Sequence, residues 1–168
     1  QHFFALRLSK EDVVTVLDGL QRASAPTDPN NSQIVKNGGP GDVQALVKRL
    51  GKKSDTKSHT KDKLSTGVTL ITKPSNLKVP PWQMVSAALD GASLRVATWW
   101  SRNKIYTTTP SSQITCWDPS LGDVDDIGHV EIALTGQWDG TPLGLKGGQN
   151  HAKFGVSNSR NVTYSIFG

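Results

Sequence analysis

QITCWDPSLGDVDDIGHVEIALTGQWDGTP, residues Gln113–Pro142, decides how this chain is read. It runs as a strand, an acidic turn and one long alternating strand. Val130, Ile132, Leu134 and Trp138 fall on one side of the alternation, and His129, Glu131, Ala133, Thr135 and Gln137 on the other. Period-two alternation with one apolar side is the pattern of a β-strand that buries one face. No catalytic signature accompanies it.

Upstream, Ser93–Trp100 alternates in the same way, with Leu94, Val96 and Trp100 on one face. Asn103–Thr109, Gln113–Trp117, Phe154–Val156 and Val162–Phe167 are further candidate strands. The first part of the chain reads differently. His2–Ser9 is a short apolar run with strand character. Ser9 then caps a helix, with Asp12 three residues on and Val13, Val16, Leu17 and Leu20 as its apolar stripe. Ala25–Gly41 carries three prolines and three glycines and reads as loop. Asp42 caps a second helix with Val43, Leu46, Val47 and Leu50 inward, and Gly51 ends it. Lys52–Thr66 has one apolar residue, Leu64, and reads as an exposed flexible loop. Val68–Thr72 reads as a strand. Pro81 opens a third helix that turns Trp82, Val85, Ala88 and Leu89 inward.

The 168 residues suit one domain with a real core. The expected class is mainly β with a few short helices. Residues 1–66 form a mixed, basic helix and loop part, and residues 67–168 a β-rich part. Gly and Pro make up about 15% of the chain, which suits many turns. No apolar run approaches the roughly 18 residues of a membrane span, so no membrane partner is expected. The first residues lack the basic-then-apolar pattern of a signal peptide. A start at Gln1 points to processing or to chain upstream. The lone Cys116 excludes an intrachain disulfide and leans toward a reducing compartment.

Charge is unevenly placed. Residues 1–84 hold 13 Lys and Arg against 7 Asp and Glu, and residues 85–168 hold 6 against 7. Lys48, Arg49, Lys52, Lys53, Lys57, Lys61 and Lys63 put seven cations into sixteen residues, against Asp55 and Asp62. Such a segment neutralises phosphates and releases counterions, which gives salt-dependent binding without sequence preference. The same lysines also suit a solvated loop that keeps the protein soluble. No aromatic residue is interleaved, so base stacking is not expected there.

Asp118, Asp123, Asp125 and Asp126 place four carboxylates in nine residues. Hard cations favour such clusters, but no glutamate closes an EF-hand loop. A solvated turn is the plain alternative. Trp99 and Trp100 are adjacent, so a strand turns them to opposite sides, and one is a candidate contact or ligand platform. The four histidines have no metal-ligand spacing, and no serine lies in a G-x-S-x-G context. The loop GTPLGLKGG lacks the Gly-Lys-Ser/Thr of a phosphate-binding loop. Asn30-Asn31-Ser32 and Asn161-Val162-Thr163 match the glycosylation triplet, which matters only in a secreted protein. No enzyme is expected.

Ile114-Thr-Cys-Trp-Asp-Pro, the acidic turn, Gly128-His-Val-Glu-Ile-Ala-Leu, Trp138-Asp139 and Pro142 together resemble the central strands of the coat proteins of small icosahedral plant RNA viruses. Leu94–Tyr106 fits the preceding strand. The resemblance covers roughly 50 of the 168 residues. It implies an antiparallel β-sandwich of jelly-roll type and a structural, self-assembling coat or nucleocapsid protein. Its partners would be further copies of itself and viral RNA or another polyanion, and its location the virion and the host cytoplasm. The seven cations would contact RNA phosphates. No cofactor is implied beyond Ca²⁺ at subunit interfaces, for which Asp118, Asp123, Asp125 and Asp126 are the candidates. The alternative is a carbohydrate-binding β-sandwich using Trp99, Trp100, Trp117 or Trp138 as platforms.

Overall fold

A computed structural model describes residues 5–25, 36–98, 107–108, 124–134, 153–157 and 163–168. They hold a few short helices and two sheets, one antiparallel and one mixed. The chain divides into two compact units, Ala5–Lys78 and a unit that includes Val79–Gly168.

In the first unit, helix α1 spans Lys10–Arg22. Ser9 caps it as expected, its hydroxyl accepting the Asp12 N–H at 3.2 Å. Leu17 is buried from the stripe, while Leu20 is 38% exposed. Gly19 also lies on the buried side. A Cβ there would stand 2.8 Å from Thr72 Oγ1 and 3.2 Å from Leu70 Cδ2, so glycine lets α1 approach the neighbouring strand closely. Helix α2 spans Gly41–Val47. Its N-cap is Pro40, not Asp42, which sits within the first turn and pairs with Lys10 at 2.9 Å. Val43, Val47 and Leu50 pack with Leu17 as one apolar cluster, flanked by Val13, Val14 and Leu46. Gly51, at φ +78°, turns the chain away where the helix was expected to end.

Strands β1 (Thr60–Lys63) and β2 (Thr69–Thr72) pair antiparallel, Thr60 with Thr72 and Lys63 with Thr69. The flexible loop expected over Lys52–Thr66 is therefore strand in its second half. The Leu64 N–H donates to Val68 O and the Gly67 N–H to Leu64 O. Gly67 lies at φ +84°. A three-residue connection ending in a left-handed glycine matches strand twist and fixes register. Pairing, not apolar content, makes TKDK a strand. Asp12 then ties α1 to this hairpin by accepting from both the Ser65 N–H, at 3.0 Å, and the Ser65 hydroxyl. Ala5–Ser9, expected as part of a strand, is not one.

In the second unit, helix α3 spans Pro81–Ala88 with Pro at its first position, as expected. Strands β3 (Leu94–Thr98), β4 (Thr107–Thr108), β5 (Val130–Leu134), β6 (Lys153–Ser157) and β7 (Ser165–Phe167) form a sheet in the order β4-β5-β3-β6-β7. Three of its four pairings are antiparallel. The fourth departs from an all-antiparallel arrangement, because β3 and β5 run parallel, Leu94 beside Val130 and Val96 beside Ile132. A parallel pair needs a long crossover, and residues 99–129 provide the length. The alternation of the deciding segment holds where it is described: Val130 and Ile132 are buried, and His129 and Glu131 are half-buried.

Trp82 joins Leu94, Val96, Val130 and Ile132 in the core of this unit. Gly155 makes room for the indole. A Cβ there would meet Val96 Cγ1 at 2.9 Å and Trp82 Cζ3 at 3.1 Å. Among the described residues no helix is long and apolar enough to cross a membrane.

Candidate nucleic-acid interface

The seven cations singled out by the sequence all lie in the first unit and are all exposed. Three kinds of local structure carry them. Lys48 is the C-cap of α2 and Arg49 follows it. A cation at a helix C-terminus meets the partial negative charge of the last carbonyls. Leu50, buried beside them, anchors the turn and leaves its charged neighbours in solvent.

Lys52, Lys53 and Lys57 follow on a segment that hydroxyl contacts hold. The Ser54 N–H donates to Ser24 Oγ at 3.3 Å, and the Ser75 hydroxyl donates to the same oxygen at 3.2 Å. The Ser54 hydroxyl donates to Thr56 Oγ1 at 3.0 Å and accepts the Thr56 N–H at 3.2 Å. The lysines thus flank a pinned stretch of backbone, and ordering it on a partner costs less than ordering a free tail. Lys61 and Lys63 sit on the exposed face of β1, with Thr60 and Asp62 half-buried on the other. Alternation turns the two ammonium groups the same way.

Arg49 is partly compensated. Its Nη2 lies 3.6 Å from Asp18 Oδ1, while Arg22 Nε holds Asp18 Oδ2 at 2.6 Å. Arg22 escapes a reading based on charge runs, because it belongs to α1. Its signal is the spacing of four from Asp18. Thr60 carries no signal in the sequence, and Asp62 stands there only as a carboxylate opposing the basic run. Lys73, outside the cluster, has its ammonium pushed below the ordinary lysine range by burial and then by nearby Lys78.

Of the expected Ca²⁺ carboxylates, Asp118 and Asp123 lie outside the described residues. Asp125 and Asp126 are exposed in a bend, with Asp126 at φ +55°. Among the described residues no three His, Cys, Asp or Glu side chains gather to hold a metal ion. The platform candidates Trp99, Trp100, Trp117 and Trp138 lie outside the described residues, as does Cys116. A second charged group lies on the sheet of the other unit. Arg95 Nε pairs with Glu131 Oε2 at 2.8 Å, and His129 Nε2 lies 3.4 Å from Glu131 Oε1. Neighbouring parallel strands place Arg95 directly beside Glu131.

No protein-family model matches this chain, and no curated protein or solved structure is significantly similar to it.

Proposed function

We propose that this protein is a structural, self-associating RNA-contacting protein of coat or nucleocapsid type, whose basic element 48–63 neutralises backbone phosphates. One observation carries the reading: seven cations are all exposed along one continuous element that hydroxyl contacts and a hairpin hold in place. Phosphate neutralisation needs charge and reach, not a shaped catalytic pocket. Self-association draws support from β7, an outer strand in the described sheet order, which carries Phe167 at 47% exposure beside Phe154. Outer strands and exposed aromatics are surfaces on which copies associate. The jelly-roll arrangement and a Ca²⁺ role for the acidic turn belong to this proposal through the family resemblance alone.

Sedimentation of the purified protein, with its ultraviolet absorbance spectrum, tests the reading. Large uniform particles with a nucleic-acid-like spectrum are expected, loosening as salt is raised. A monomer with a protein-like spectrum, unchanged by added RNA at low salt, would overturn it.

A further inference from the structure

A cleft of about 260 Å³ opens in the first unit, lined by residues of α1, the end of α2 and the turn after it, and β1. Its walls divide by chemistry. Val14 and Leu46 are apolar. Arg22 and Arg49 converge on the Asp18 carboxylate at 2.6 and 3.6 Å. Thr60 and Asp62 line it from β1. The Thr60 Oγ1 atom is buried without a hydrogen-bond partner. Asp62 forms no ion pair among the described residues.

We propose that this cleft is a subsite for one nucleotide of single-stranded RNA whose base carries an exocyclic amine beside an unprotonated nitrogen on its Watson–Crick edge, cytosine or adenine. The inference rests on the phosphate-contacting role of element 48–63 and adds a base preference to it. Arg49 belongs to both features, so a strand neutralised by the lysines reaches the cleft at Arg49. The volume falls just under the roughly 300 Å³ at which pockets for drug-sized ligands begin, a size for one base with part of its sugar. Splayed bases of single-stranded RNA stack on guanidinium planes and are read by hydrogen bonds to their edges. The cleft supplies both, with Arg22 and Arg49 as planes and Asp62 and Thr60 as edge readers. A carboxylate accepts from the cytosine amine but faces the O4 acceptor of uracil. The Thr60 hydroxyl can donate to the unprotonated ring nitrogen beside that amine.

Fluorescence anisotropy with labelled oligocytidylate and oligouridylate of equal length tests this. The protein is expected to favour oligocytidylate about fivefold or more, the lower end of what one good base-edge contact contributes. Asp62→Asn is expected to remove the preference and keep binding to oligouridylate, and Thr60→Val to reduce the preference. Equal affinity of the unaltered protein for the two strands would overturn the subsite and leave the phosphate role standing. Binding of neither would overturn both. Titration with cytidine monophosphate separates the two sources of this chemistry. Much weaker binding than to the strand is expected, whereas equal affinity would overturn a strand subsite.

Discussion

The Ser86 hydroxyl accepts the Gly128 N–H at 2.8 Å and donates to the Ala92 carbonyl at 2.7 Å. Ser86 is fully buried on α3. One side chain therefore satisfies the backbone leading into β3 and the backbone leading into β5, the two strands that pair in parallel. The adjacent contacts repeat the arrangement, with the His129 N–H on Ser93 Oγ at 3.1 Å and the Leu94 N–H on His129 O at 2.8 Å. Ser86→Ala leaves a buried donor and a buried acceptor unpaired. A loss of about 1–3 kcal/mol of stability is expected in urea unfolding. An unchanged midpoint would show that water replaces the hydroxyl.

Gly128 is the other half of that junction. A Cβ there would lie 2.7 Å from Ser93 N and 2.8 Å from Ala92 C, and closer still to the Gly91 carbonyl oxygen. These are backbone atoms and cannot swing aside. Gly128→Ala is expected to cost about 4 kcal/mol or more, among the largest effects of a single substitution. Soluble protein with an unaltered melting temperature would contradict the close approach.

Gly155 is a milder case, because its obstacles are side chains. Gly155→Ala should cost about 1–3 kcal/mol through overpacking against Trp82 and Val96. Trp82→Phe in the same chain relieves the crowding, so the double variant should lose less than the sum of the two single losses. Strict additivity in thermal melts would count against the contact.

Asp12 links stability to pH. Hydrogen bonds from the Ser65 hydroxyl and then the Ser65 N–H hold its carboxyl below the ordinary range. A group depressed in the folded state contributes stability above its unfolded value, and that contribution fades as pH falls through the folded value. Melting temperature should therefore drop below about pH 4, and Asp12→Asn should flatten the drop while lowering stability at neutral pH. Parallel acid profiles for the two proteins would rule the linkage out.

Thr60→Val tests the buried hydroxyl on β1. Removing an unpartnered buried hydroxyl while keeping the branched shape should raise stability by about 1 kcal/mol. A loss would mean that the hydroxyl is satisfied in solution.

Helix α1 is legible in the sequence because its signals are local: a serine cap, an acidic first turn and a stripe that includes Leu17. The inward face of β5 is legible for the same reason, since alternation alone sorts Val130 from Glu131. β1 is not, because Thr60–Lys63 holds no apolar residue and becomes strand only through pairing with β2. The parallel pairing of β3 and β5 is also hidden, since strand order depends on contacts between distant segments. The seven cations stand out as a run, but the cleft beside them brings Arg49 to Asp18 and Arg22, from which it is far apart in the chain. Local pattern shows where charge is, and tertiary structure decides what it faces.

The most direct test of phosphate contact is the salt dependence of RNA binding. Single-stranded RNA affinity, measured from about 50 to about 200 mM salt, should fall with a log–log slope approaching about −5 if all seven cations engage phosphates. Replacing Lys52 and Lys53 together by glutamine should make that slope shallower by about 1.4. Affinity that is flat across this range, or a slope indifferent to the two lysines, would contradict the account.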